Sequence, residues 1–268
     1  MARQLGHVKY KGTIGDIRHF KIKGMSGNFA GLNGGATAEQ IKNGASFVRT
    51  RENMNEFAGC SSVGKSIRAG QSQLMKQMSD PQFTGRLTGI IKKINLEDQS
   101  EARGVRAILI TAAPQYLIGL NFNKNIPVES LFSGKFETVA NAERNSVTLT
   151  VEVFKPLEQL KAPAGTTHFR FVNSISVISD FSYNSLTKIY EPVEPTLNEL
   201  SKVAYTDYVD ITQGVNYGIS VISALNDSPT MNENVSLLSC VGIEFFQKVG
   251  TQYYALSVGN SMKIKNVF

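Results

Sequence analysis

The chain has 268 residues, 41% of them apolar and 19% charged, which is enough for one large domain or two small ones with a self-sufficient core and unlike a disordered chain. No run of 18 or more apolar residues occurs and the opening MARQLGHVKYKG lacks an apolar h-region, so neither a membrane-spanning helix nor a classical secretion signal is expected. The net charge of +6 is unevenly placed: residues 1–110 hold 17 Lys/Arg against 8 Asp/Glu, whereas residues 111–268 hold 11 against 14.

The first 36 residues alternate apolar and polar letters between glycines. In IRHFKIK, Ile17, His19, Lys21 and Lys23 fall on one side and Arg18, Phe20 and Ile22 on the other, which predicts two or three short strands with too little apolar surface to stand alone. A glycine-punctuated arm of this kind is expected to leave backbone donors and acceptors for a partner, strand addition to a neighbouring subunit being one common solution. Its cations Lys9, Lys11, Arg18, Lys21 and Lys23, interleaved with Tyr10, His19 and Phe20, suit either an acidic protein neighbour or the phosphates and bases of single-stranded nucleic acid.

Residues 37–104 predict a layer of three helices. Thr37 and Gln40 form a capping-box pattern opening a helix that runs to about Ala58, interrupted near Asn43-Gly44, with Phe47, Met54 and Phe57 near one face. Val63, Ile67, Leu74 and Met78 recur at helical spacing in a second helix, and Asp80-Pro81 reads as a cap and first turn. The third helix carries the clearest stripe, Phe83, Leu87, Ile90, Ile91 and Ile94. Arg49, Arg51, Lys65, Arg86, Lys92 and Lys93 extend the candidate contact surface of the basic half.

From Val105 the period changes to two. VRAILITA, YLIGLNF, SVTLTVEVF, THFRFVNSISVIS, YTDYVDI, YGISVISAL, VSLLSCVGIEFFQKV, TQYYALSV and MKIKNVF predict strands, with polar loops at 189–202 and 226–234. Without helices between them, these runs point to an antiparallel β-sandwich or jelly-roll-like domain over 105–268. The fold class is α+β, mainly β.

GCSSVGKS, residues 59–66, matches the phosphate-loop pattern G-x-x-x-x-G-K-[ST] in Gly59, Gly64, Lys65 and Ser66. Its context does not match. A phosphate loop follows a buried strand, and the residues before it, VRTRENMNEF, are polar and helix-forming. Asp180 would be the magnesium ligand, in a β-rich stretch rather than an alternating β/α one. The motif therefore reads as incidental, with Ser61 or Ser62 capping a helix, glycines packing closely and Lys65 solvated. His7, His19 and His168 are scattered, Glu97, Asp98 and Glu101 read as solvated loop acids, and Cys60 and Cys240 as free thiols. No catalytic residue, metal or cofactor is assigned.

The stretches GTIGDIRHFKIKG, EQIKNGASFVRTRENMNEFAG, GKSIRAG, APAGTTHFRFV and GIEFFQKV resemble a family of uncharacterised proteins of Bacteroidota genomes and their mobile elements, the RTREN…EF block being the most distinctive. The resemblance implies bacterial or phage origin and a shared two-part architecture, with no activity; the chain departs from it at KNGASF, where Asp-Pro is usual. Together these readings predict a self-assembling subunit of a virion, tail or extracellular filament, with nucleic-acid binding by the basic N-terminal region as the alternative.

Overall fold

Four short strands form from the glycine-punctuated N terminus in the computed structural model, which describes residues 2–214 and 218–268. They are β1 (Ala2–Arg3), β2 (Gly12–Ile14), β3 (Ile17–Phe20) and β4 (Phe29–Leu32), ordered β1-β4-β3-β2 and antiparallel throughout. Gly15, at φ 57° in the β2–β3 turn, and Gly24 and Gly27, at φ 85° and 117° before β4, take conformations that side chains disfavour. The strands thus pair with one another, leaving β1 and β2 as the two edges. Helix α1 (Ala38–Asn43) follows, opened by the capping box: the Gln40 backbone N–H donates to Thr37 Oγ1 at 3.1 Å and the Thr37 N–H to Gln40 Oε1 at 2.8 Å. The first compact unit ends at Arg51 and the second runs from Glu52 to Phe268.

The division falls inside α2 (Val48–Gly70), which continues without a break through the stretch where two helices were predicted. Ser61 and Ser62 therefore cap nothing; the Ser62 hydroxyl donates back to the Ala58 carbonyl one turn earlier. The buried face of α2 consists of Glu56, Gly59, Cys60, Val63, Gly64, Ser66, Ile67 and Gly70, mostly small residues, whereas Met54 and Phe57 are exposed. Small residues let the helix backbone approach its neighbours: an ideal Cβ on Gly59 would lie 2.5 Å from Tyr190 Cγ, and one on Gly70 2.7 Å from Ser176 Cβ. After α3 (Ser72–Met78), Asp80 accepts from the Gln82 N–H at 2.7 Å and starts α4 (Phe83–Glu97), whose stripe Phe83, Leu87, Ile91 and Ile94 is buried as predicted.

The remaining strands are β5 (Phe136–Ala140), β6 (Ser146–Val151), β7 (His168–Ser179), β8 (Phe181–Asn184), β9 (Ile189–Pro192), β10 (Ser201–Tyr205), β11 (Val209–Asp210), β12 (Ile219–Ala224), β13 (Val235–Val249), β14 (Gln252–Ala255) and β15 (Ser261–Val267). Of the run predicted from Tyr217, that first residue lies outside the described residues. The antiparallel β-sandwich class holds, with β7 and β13 at the centre of a six-stranded sheet that faces the three-stranded sheet β12-β6-β5. Phe169, Phe171, Ile175 and Val177 of β7 pack toward β6 and β5, beside Val147, Leu149, Val151 and Phe136. The opposite face, with Val172, Ile178, Leu238 and Cys240, packs on Cys60, Val63, Ile67, Leu87 and Ile91 of the helices. The second unit is therefore three layers deep, and the central strands are buried on both faces.

Three sequence expectations fail here. VRAILITA and YLIGLNF are not strands: Ile108, Ile110, Leu117 and Phe122 are buried against the helices, but their backbone makes only the isolated bridges Ile108↔Phe181 and Asn121↔Lys263, with Pro114 and Gly119 (φ 86°) interrupting. Burial of apolar residues does not require a ladder, which is why period alone misread them. The predicted loop 189–202 begins as β9 and ends in β10. Asp98 is buried, accepting from the Ser100 N–H and hydroxyl and the Ala107 N–H; burial pushes its carboxyl up, but these donors outweigh it and hold the pKa below the ordinary 3.8.

A polar row crosses the sandwich interior. Asn173 Nδ2 donates to the Val147 and Val221 carbonyls at 2.8 and 3.0 Å, tying the central sheet to β6 and β12, and Asn266 Nδ2 donates to Thr138 Oγ1 at 2.8 Å on β5. These bonds fix the register of the two sheets, which apolar packing alone specifies weakly.

Candidate interaction surface

The letters of the phosphate-loop pattern lie in the interior of α2. There the backbone N–H groups are used by the helix's own i to i−4 bonds and cannot converge on a phosphate. Gly59 serves close approach to Tyr190, Ser66 Oγ donates to Glu199 Oε1 at 2.7 Å, and Lys65 is exposed. Asp180, on the other side of the central sheet's end, is buried and accepts from the Thr111 N–H at 3.0 Å and hydroxyl at 2.5 Å; burial pushes its carboxyl up. Among the described residues no three His, Cys, Asp or Glu side chains are grouped to hold a metal ion.

The candidate cations separate by role. Arg86 pairs with Asp80 at 2.6 Å and donates to the Asn121 and Phe122 carbonyls, pinning the segment before α4 to the loop at 121–122. Lys92 binds the buried Glu56 and donates to Asn95 Oδ1 at 2.7 Å. Arg51 Nη1 donates to the Ile41 and Gly44 carbonyls at 2.7 and 2.8 Å, satisfying the C-terminal end of α1. Lys65 and Lys93 are exposed on α2 and α4. Arg49 is exposed near the start of α2.

Lys9, Lys11, Arg18, Lys21 and Lys23 remain together on the N-terminal sheet and its turns. Lys9 Nζ is drawn onto the Gln4 and Gly6 carbonyls, and the Arg18 guanidinium lies 5.7 Å from the Phe20 ring centre. Tyr10 and His19 rings are 5.6 Å apart, Phe20 and Phe29 6.3 Å. Lys11, Lys21 and Lys23 are exposed. Residues 1–51 carry nine Lys/Arg against Asp16 and Glu39, so the whole net charge of the chain sits in this fifth of it and residues 52–268 are close to neutral.

Two clusters escaped sequence reasoning. One explains the RTREN…EF block: Glu52 pairs with Arg103, Asn55 donates to the Gly104 carbonyl at 2.6 Å, and Glu56 accepts from the Gly104 N–H at 2.7 Å while its other oxygen holds Lys92. This block is the clamp that fastens loop 98–107 to α2, and nothing in the linear spacing marks a partner some 48 residues away. The other lies where the helices no longer cover the central sheet. Arg170 pairs with buried Glu244 at 2.6 Å, sits 3.8 Å from the Tyr205 ring centre, and is flanked by Tyr208 and Phe246; Tyr208 in turn stacks on Tyr253 at 4.0 Å. A charged residue between aromatics in HFRFV and in GIEFFQKV was its only trace.

The second unit is thus a helix-covered β-sandwich, joined to a small basic sheet module. Protein families, curated proteins and solved structures were compared with this chain, and none matches it.

Proposed function

We propose that this chain is a self-assembling structural subunit whose N-terminal unit docks on a neighbouring molecule, as subunits of virion shells, tails and extracellular filaments do. One observation carries the reading. Of the apolar side chains in the described N-terminal sheet and its turns, Phe29 is buried, whereas Leu5, Val8, Tyr10, Ile14, Ile17, Met25 and Leu32 are exposed. A sheet that buries so little gains little from folding by itself, and surface of this kind is characteristic of an interface. The open edges of β1 and β2 offer unpaired backbone groups in the same module.

Deletion of residues 2–35 is expected to abolish higher-order assembly while the second unit, which owns all three large buried clusters, keeps its circular dichroism spectrum and cooperative unfolding. Equal assembly of truncated and full-length protein, by light scattering or electron microscopy, would refute the proposal.

A second reading rests on the charge. Nine cations with Arg18 over Phe20 and Tyr10 beside His19 could grip single-stranded nucleic acid through phosphates and stacking. It requires oligonucleotide affinity to fall steeply with salt, with log K linear in log salt concentration.

A further inference from the structure

One face of the N-terminal sheet narrows the choice of partner. The register places Ile14 opposite Ile17 and Ile17 opposite Leu32, so the three form a single row across β2, β3 and β4. They are 57%, 44% and 82% exposed. Lys11, Lys21 and Lys23 flank the row in the segments that enter and leave β2 and β3, and none pairs with a carboxylate among the described residues. Two such faces would repel each other through their like charges, which argues against a symmetric sheet-to-sheet contact. The fitting partner carries apolar side chains among acids.

The second unit presents such a surface. In the β8–β9 hairpin Tyr183 and Tyr190 pair on the inner side, and Ile189 and Glu191 lie on the outer side with Val193 following in step. Leu186 at the tip is 91% exposed and Ile189 56%, and Val193 is exposed as well. Glu191 accepts only from neutral donors, Asn184 Nδ2 at 2.8 Å and Thr187 Oγ1 at 2.9 Å, and Glu194 only from Asn234 Nδ2 at 3.5 Å. Residues 181–200 hold Glu191, Glu194 and Glu199 against Lys188.

We propose that the chain associates head to tail, the Ile14–Ile17–Leu32 face of one copy seating on the β8–β9 hairpin of the next, with Lys11, Lys21 and Lys23 meeting Glu191 and Glu194. Each copy then offers one donor and one acceptor surface, a heterologous contact that propagates into a ring or an open filament. This rests on the assembly reading above and names its interface.

The test uses two full-length variants. Lys11→Glu/Lys21→Glu/Lys23→Glu makes both surfaces acidic, and Glu191→Lys/Glu194→Lys makes both basic. Each alone is expected to weaken self-association by about tenfold or more in sedimentation velocity. Mixed in equal amounts they are expected to associate again, because each variant's sheet now meets an oppositely charged hairpin; recovery on mixing also shows that both variants are folded. If the parent chain associates and neither variant is weaker, the interface is wrong and the assembly reading stands. A parent that stays monomeric at all concentrations defeats the assembly reading itself. Loss of single-stranded DNA binding in the sheet variant, with the parent's self-association unchanged, would assign the face to nucleic acid and overturn the proposal.

Discussion

Glu56→Ala is expected to lower the unfolding free energy of the second unit by about 3–5 kcal/mol, the range for removing one partner of a buried ion pair. Glu56 is 1% exposed in the middle of α2. Its oxygens hold Lys92, the Gly104 N–H and, at 4.0 Å, Arg106, so its removal leaves a cation and a backbone donor without their acceptor and frees the loop that crosses α2. Urea unfolding followed by circular dichroism measures the loss. Glu101→Ala, an exposed acid of the same loop, serves as the control and is expected to stay within about 0.5 kcal/mol of the parent. Equal midpoints for the two variants would remove Glu56 from any structural role.

The same carboxylate sets part of the acid limb. Burial pushes it up, but the Lys92 hydrogen bond, the Gly104 N–H and the charges of Lys92 and Arg106 outweigh burial and hold the pKa below its ordinary 4.5. A depressed folded-state pKa stabilises the fold at pH above the unfolded value, and that contribution is lost as pH falls through the folded one. Glu56→Gln should therefore flatten the fall in stability below about pH 4.5, relative to the parent. An unchanged slope would mean that Asp80 and Asp98, whose pKa values are also lowered, carry the acid sensitivity instead.

Gly59→Ala is expected to destabilise by about 1–3 kcal/mol, against the usual gain when alanine replaces glycine in a helix. The new methyl would meet three Tyr190 ring atoms at 2.5–2.8 Å. The ring cannot simply turn away, since it is buried and its hydroxyl donates to the Arg106 carbonyl at 2.9 Å. Gly70→Ala should behave alike, because Ser176 Cβ belongs to the central strand and its hydroxyl accepts from Gln71 Nε2 at 2.8 Å. Gly85→Ala and Gly89→Ala on α4 meet nothing within 4 Å and should raise stability by up to about 1 kcal/mol. Thermal melts of the four variants give the comparison, and a stabilised Gly59→Ala would contradict the packing described for α2.

Local chemistry was legible from the chain alone wherever neighbours in sequence are the partners. The Thr37–Gln40 cap is closed by residues three apart, the α4 stripe by 3.6-residue periodicity, and the sandwich class by the change to period two after Val105. The polar context before Gly59 was enough to set the phosphate-loop letters aside, since a helix interior offers no free N–H groups. The concentration of positive charge at the N terminus is likewise a property of composition.

Only the tertiary structure decided which face of each element is used. On α2 the bulky residues Met54 and Phe57 face outward while glycines, Cys60 and Ser66 face inward, because a helix lying directly on Tyr190 and Ser176 needs small side chains more than apolar ones. NSISVIS in β7 loses its alternation since a helical layer and a second sheet cover both its faces, and no residue within the strand announces either cover. The Glu56 clamp and the Arg170–Glu244 pair join positions 48 and 74 residues apart, a distance across which sequence spacing carries no information. Periodicity reports the environment of one element; which element supplies that environment is fixed only when the chain folds back on itself.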